Sequence, residues 1–363
     1  MRKYDQNPLN YLANEADTVV VNGTAVITKK SPGEGRPGYL DPWDKATLKP
    51  RDPQGDTGQP PDPSQIPFIL RKMRETSETG PRDLCETKVS NFYEELTVAE
   101  RKVGLWRYEK ASTRGSIRSC YIHIHGGGKF LGTADDDGPF CRFLAEKSGE
   151  VVFNVDYSLS PEVKFPVALE ECYAVLLHIS KNAQAYGIDK EKIIIAGGSS
   201  GGNLAAGVTL MAKDKNGPKI AAQVLLVPYL LISEDPVKGY EWREEDFNMV
   251  EDTLKYVEPM ADPVKAATMI MDWYIAKEQR NHKYASPMLY KNFAGLPKAL
   301  IITSEFDALR PQGEFYGSQL SNAGVETRII RYMGVTHSAV GKLGNLPQAE
   351  DCFCEIANFI KEL

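Results

Sequence analysis

From about residue 90 onward, short runs of apolar, often β-branched residues alternate with longer stretches in which apolar positions recur every three or four residues. Runs at Cys120–Ile124, Val151–Val155, Lys192–Ala196, Gln223–Val227, Ala299–Thr303 and Thr327–Tyr332 are nearly continuous in apolar character, which predicts strands buried on both faces. The stretches between them predict helices. Pro166 stands at the first turn of one that runs through Leu169, Cys172, Leu176 and Ile179 and stops near Gly187. Gly313–Ala323, followed by Gly324, and Gln348–Lys361 follow the same pattern. This alternation predicts an α/β fold with a mostly parallel central sheet flanked by helices on both faces.

Two regions break the alternation. Residues 1–90 are loop-rich, with turn formers concentrated from Ser31 to Gly38 and from Arg51 to Pro63. Within them Thr18–Ile27 predicts a hairpin about Asn22-Gly23, a pair suited to a tight primed turn. Residues 229–284 carry no convincing strand but do carry acidic runs, Pro236, Pro259, Pro263, and the aromatics Trp242, Phe247, Tyr256, Trp273 and Tyr274. A mainly helical insertion between two strands is the economical account. Such insertions lie at the carboxyl ends of the strands, over the place where an open α/β sheet binds its ligand. Residues 91–228 and 285–363 then form the sheet domain.

With 363 residues, 42% of them apolar and 25% charged, the chain can bury a large core. Lys and Arg total 43 against 49 Asp and Glu, a net charge of −6. That leaves no basic footprint for nucleic acid or an anionic membrane, so a small molecule is the expected partner. The first residues open basic without leading into an apolar run, and no stretch approaches the ~20 apolar residues of a membrane span. The expectation is a soluble cytoplasmic protein. The six cysteines form no CxxC pair and have no histidine at ligand spacing, so they predict buried free thiols in a reducing compartment and no metal site. The sequence is compatible with a homo-oligomer and does not specify one.

Candidate chemistry sits at the ends of the predicted strands. Ile193-Ile194-Ile195-Ala196-Gly197-Gly198-Ser199-Ser200-Gly201-Gly202 runs from a buried strand into a glycine-rich turn, and a helix begins near Asn203. That context suits a nucleophilic serine on a sharp strand-to-helix turn, with Ser199 exposed at its apex and the helix N-terminus directed at the reacting centre. Upstream, the strand ending at Ile124 leads into His125-Gly126-Gly127-Gly128. Consecutive glycines let main-chain N–H groups approach the oxyanion of a tetrahedral intermediate. No GxxxxGK[ST] or GxGxxG pattern supports a phosphate-binding alternative. Late strands lead into Ser304-Glu305-Phe306-Asp307 and into Gly334-Val335-Thr336-His337. Of the five histidines, His123 falls in a strand, His125 in the glycine loop, His178 in a helix and His282 in the insertion, which leaves His337 as the candidate base. Asp307 is the candidate acid behind it, with Glu305 as a rival. The order Ser, Asp, His is the one this architecture uses.

Together, His125–Gly128, Asp156-Tyr157 with Leu159, Pro161-Glu162 and Phe165-Pro166, the Gly197–Gly202 turn, Ala285-Ser286-Pro287, Asp307-Ala-Leu-Arg310 and His337 resemble the hormone-sensitive-lipase-like carboxylesterases. The resemblance spans about residue 95 to the C-terminus. It implies an α/β-hydrolase fold with Ser199 as nucleophile, His337 as base and Asp307 as orienting acid. It further implies an oxyanion hole from the N–H groups of Gly127, Gly128 and Ser200, and a cap built from the N-terminal segment and the 229–284 insertion. No cofactor is implied. Four positions depart from the family pattern: Gly198 replaces an acidic residue, Ser200 an alanine, Ser158 an arginine and Pro311 an aspartate. The expected function is a serine carboxylesterase acting on short- to medium-chain esters through an acyl-enzyme. Alternatives are an amidase, formamidase or deacetylase with the same triad, or a non-catalytic receptor, a class that usually lacks one triad member.

Overall fold

In the computed structural model, which describes residues 1–51, 65–75 and 81–363, ten strands form one sheet. They are β1 (Ala16–Val21), β2 (Thr24–Lys29), β3 (Val89–Val98), β4 (Arg101–Lys110), β5 (Arg118–Ile124), β6 (Val151–Asp156), β7 (Ile188–Gly198), β8 (Ala222–Leu226), β9 (Lys298–Phe306) and β10 (Thr327–Thr336). Their order is β1-β2-β10-β9-β8-β7-β5-β6-β4-β3. From β2 to β6 every pairing is parallel, and β1, β4 and β3 run antiparallel to their neighbours. The six strands expected from apolar runs are all present as the parallel centre.

Alternate residues of these strands feed two separate cores, as the two-residue period of a strand requires. Ile193 and Ile195 pack with Leu169 and Leu176 of the Val167–Lys181 helix and with Leu204 and Val208 of the Ser200–Asp214 helix. Ile194 and Ala196 face the other way, toward Phe140 and Leu144 of the Ala134–Ser148 helix and Phe353 and Ile356 of the Pro347–Lys361 helix. Each central strand is therefore buried on both sides, which is why its sequence reads as a continuous apolar run.

The strand order reverses between β5 and β7. The helix after β5 lies on one face of the sheet and the helix after β7 on the other, so a crevice opens outside the carboxyl ends of these two strands.

Three features differ from the sequence reading. The hairpin about Asn22 (φ 49°) and Gly23 (φ 78°) forms, but it is not confined to a loop-rich segment: β2 pairs in parallel with β10 and extends the central sheet. Strands β3 and β4 were not foreseen. They pair antiparallel through a turn at Ala99-Glu100, both at positive φ, and continue the sheet beyond β6. Residues 229–284 are helical only in single turns, Glu251–Leu254, Pro263–Ala266 and Thr268–Met271 being four residues each. Pro259 and Pro263 and the lack of a sustained apolar period keep these turns from growing. The turn formers at 52–63 lie outside the described residues. Among the described residues, no helix is long and apolar enough to cross a membrane.

Candidate active site

Register places Ile124 at the end of β5 beside Gly197 at the end of β7, so the two glycine-rich loops leave the sheet side by side. Ser199 adopts φ 53° and ψ −116°, a backbone region that costs about 1–3 kcal/mol for a residue with a Cβ. Its surroundings impose that conformation. Its N–H donates to the Leu226 carbonyl at 2.8 Å, and its own carbonyl accepts from Asn203 N at 3.1 Å and Tyr229 N at 3.2 Å. Two residues on, a Cβ at Gly201 would stand 2.1 Å from the Ile124 carbonyl oxygen, so only glycine lets the turn pack this tightly against β5. Ser199 caps the N-terminus of the Ser200–Asp214 helix, whose first N–H groups and positive dipole end face the same crevice.

The glycine loop closes over this turn. A Cβ at Gly126 would stand 3.6 Å from Ser199 Cβ. Gly127 holds φ 106° and folds so tightly that a Cβ there would meet the Leu131 carbonyl oxygen at 2.0 Å. Among the described residues, the amides of Gly127 and Gly128 donate to no protein acceptor. Side chains at the end of β6 hold the loop and the helix that follows it: Tyr157 Oη donates to the His125 carbonyl at 3.0 Å, and Asp156 accepts from Ala134 N at 3.1 Å. Ser200 Oγ accepts from Lys129 N at 3.1 Å, which ties the loop to the serine turn.

His337 Nε2 lies 3.0 Å from Ser199 Oγ, and His337 Nδ1 lies 2.8 Å from Asp307 Oδ2. Asp307 is buried, and its other oxygen accepts from Leu309 N at 2.9 Å, which fixes the carboxylate plane. The His337 side chain keeps 40% of its surface exposed, enough to meet a ligand. Burial works against its imidazolium form, but the charge and hydrogen bond of Asp307 outweigh it, so the pKa stands above the ordinary 6.5. The rival acid Glu305 is elsewhere: its carboxylate accepts from Gly334 N at 2.6 Å, and burial raises its pKa.

Sequence reasoning missed what holds the His337 loop. Asp44, from the N-terminal segment, is fully buried and accepts from Thr336 N at 2.7 Å, Thr336 Oγ1 at 2.8 Å and Lys342 Nζ at 2.9 Å. The only signal was a carboxylate in the segment Asp41-Pro42-Trp43-Asp44 of a loop-rich stretch, with nothing local to say what it binds.

The structure thus brings together Ser199, His337, Asp307 and the loop carrying Gly127 and Gly128, with Ser200 at the start of the helix. His123, in β5, is bonded elsewhere, with Nε2 2.8 Å from Asp137 Oδ2, although it lines the same cavity as Ser199. Two cavities open at His337 and Ser338. One, of 420 Å³, includes Ser199, Gly126, Gly127, Leu131 and Arg74. The other, of 660 Å³, is lined mainly by apolar groups of the 229–284 insertion, among them Tyr256, Val257, Met260 and Ile270. Among the described residues, no group of three or more His, Cys, Asp or Glu is placed to hold a metal ion.

Residues 121–341 match the family described as the α/β hydrolase fold. An arylesterase of Saccharolobus solfataricus is 34% identical over 221 residues, which cover 61% of this chain and 68% of that protein. The esterase LipI of Mycobacterium tuberculosis is 32% identical over 233 residues, covering 63% and 68%. Among solved structures, a hyperthermophilic esterase from Pyrobaculum calidifontis superposes with a TM-score of 0.65 at 30% identity, covering 82% of this chain and 88% of that one.

Proposed function

The chain belongs to the α/β-hydrolase fold family, in the hormone-sensitive-lipase-like group that its motifs resemble, and on that premise we propose that it is a serine carboxylesterase with Ser199 as nucleophile. The observation that carries this reading is the hydrogen-bonded series Asp307–His337–Ser199, with the serine on a strained turn beside the glycine loop.

In this reading neutral His337 takes the Ser199 proton as Oγ attacks the acyl carbon. Asp307 keeps Nδ1 protonated, holds the ring in place and stabilises the imidazolium that forms. The N–H groups of Gly127, Gly128 and Ser200 receive the oxyanion, where the loss of one donor costs on the order of 3 kcal/mol. His337 then returns the proton to the leaving alcohol. Water, activated by the same imidazole, releases the acid from the acyl-enzyme.

Two cavities of a few hundred Å³ meeting at His337 support short- to medium-chain esters, one cavity for each side of the scissile bond. The test is turnover of p-nitrophenyl esters from acetate to palmitate by the wild type and by Ser199→Ala, with fluorophosphonate labelling of both. The expected result is a maximum among the shorter chains, with turnover and labelling abolished in Ser199→Ala. Wild-type turnover in that variant would overturn the nucleophile assignment, and a maximum at palmitate the size preference. Parallel amide substrates separate an esterase from an amidase.

A further inference from the structure

Immediately after the oxyanion-loop glycines comes a side chain that this chemistry does not use. Lys129 is 1% exposed, and its Nζ has no hydrogen-bond partner. What it meets is a ring: Nζ lies 4.6 Å from the centroid of Tyr274, a fully buried residue of the 229–284 insertion. Burial of the amine pushes its pKa down to about 7.

The backbone of Lys129 is engaged at both ends. It holds φ 74°, a left-handed conformation unfavourable for a residue with a side chain. Its N–H donates to Ser200 Oγ at 3.1 Å, and its carbonyl accepts from Ser160 N at 2.9 Å. Tyr274 is itself fixed, since its carbonyl accepts from Phe165 N at 2.7 Å. The next residue, Phe130, repeats the pattern: its ring meets Trp273 edge-on at 6.3 Å, and its carbonyl accepts from Arg74 of the Ile66–Glu75 helix at 2.8 Å. Residues 129 and 130 are thus the place where the insertion and the N-terminal segment both grip the loop that carries Gly127 and Gly128.

We propose that Lys129 is a positioning residue that, through its contact with Tyr274 and the hydrogen bond from its backbone N–H to Ser200 Oγ, couples docking of the insertion to the geometry of the oxyanion hole. The proposal rests on the esterase reading, because it assigns a role to the loop only if Gly127 and Gly128 receive an oxyanion. A buried amine held by a ring face ties the loop to the insertion without a carboxylate partner beside the reacting centre. It also makes the loop's position depend on the insertion being in place.

The test compares Lys129→Met, Tyr274→Leu and Tyr274→Phe in the full chain, with kcat expressed per fluorophosphonate-labelled site so that misfolded protein is not counted. The substrate is p-nitrophenyl butyrate. A trifluoromethyl ketone, which forms a tetrahedral adduct with the serine, reports on the oxyanion hole directly. Lys129→Met and Tyr274→Leu are each expected to lower kcat about tenfold and to weaken ketone binding in parallel, with KM within about twofold of the wild type. The double variant should lose little more than either single one, and Tyr274→Phe, which keeps the ring face, should recover the kcat lost in Tyr274→Leu. Wild-type kcat and ketone affinity in Lys129→Met, or full additivity in the double variant, would overturn the coupling. Retained turnover in Ser199→Ala would instead overturn the assignment of Ser199 as nucleophile, and absence of turnover in the wild type the esterase reading, whatever the Lys129 variants do.

Discussion

The loop after β7 and the loop after β10 bring Ser199 and His337 to within 3.0 Å of one another, yet they are held by different means. The serine turn is fixed by backbone packing against its neighbouring strands: Gly201 presses on the β5 carbonyls, and Ser199 N bonds to the end of β8. The histidine loop is fixed by side chains, above all by Asp44, which comes from the opposite end of the chain and grips Thr336 and Lys342. A backbone-held element writes its needs into its own local sequence as glycines. A side-chain-held element depends on partners that can stand anywhere. The first tolerates little change within itself, and the second can be released from a distance.

That contrast can be broken at several points. The largest effect is expected from Asp307→Asn, which leaves the fold in place but favours the wrong His337 tautomer; kcat for a p-nitrophenyl ester should fall on the order of 10⁴-fold. Gly201→Ala should follow, because its methyl cannot fit 2.1 Å from the Ile124 carbonyl. Moving Ser199 by about 1 Å costs roughly 10²-fold in kcat. Asp44→Asn should act mainly on stability. It leaves the Lys342 amine without its counter-charge and sets an amide donor against Thr336, lowering the unfolding free energy in urea by about 3 kcal/mol. An unchanged urea midpoint would show that Asp44 does not anchor the loop.

The pH dependence sharpens the same point. In the proposed mechanism His337 must be neutral to act as a base, and its pKa is raised above 6.5, so the acid limb of kcat/KM should lie above that value in the wild type. The limb should move to lower pH in Asp307→Asn. Stability from this pair has the opposite sign: it is fully present below the unfolded-state pKa and is lost as pH rises through the folded one, so the pair stabilises the fold most where the enzyme is least active. The smallest effect belongs to Gly198→Ala. Nothing stands within 4 Å of a Cβ at that position, and kcat should stay within about twofold of the wild type.

What could be read in advance follows the same division. Strands buried on both faces announce themselves as apolar runs, and the β5 and β7 loops as glycines flanking His125 and Ser199. Strand β3 buries only Val89, its other positions alternating between half-buried and exposed, and it turns at Ala99-Glu100, where no Asn-Gly or Asp-Gly pair marks a hairpin, so it stayed illegible. The pairing of β2 with β10 joins residues 27 and 330 and leaves no local trace in either. The identity of the acid was open between Glu305 and Asp307 because both stand at the end of β9, and only the fold decides which carboxylate reaches His337.

Asp44 and Thr336 stand 292 residues apart in the chain, and the bond between them also sets an order in time. At roughly 5–20 residues per second of synthesis, Asp44 has been made about 15–60 s before the loop it must seat. The serine turn and glycine loop can form in the interval from contacts already available. His337 cannot be seated until residue 342 has emerged and folded back onto the first fifty. On the proposed assignment a nascent chain therefore carries Ser199 early and in idle form, and a chain interrupted between the two partners retains the serine without the means to use it.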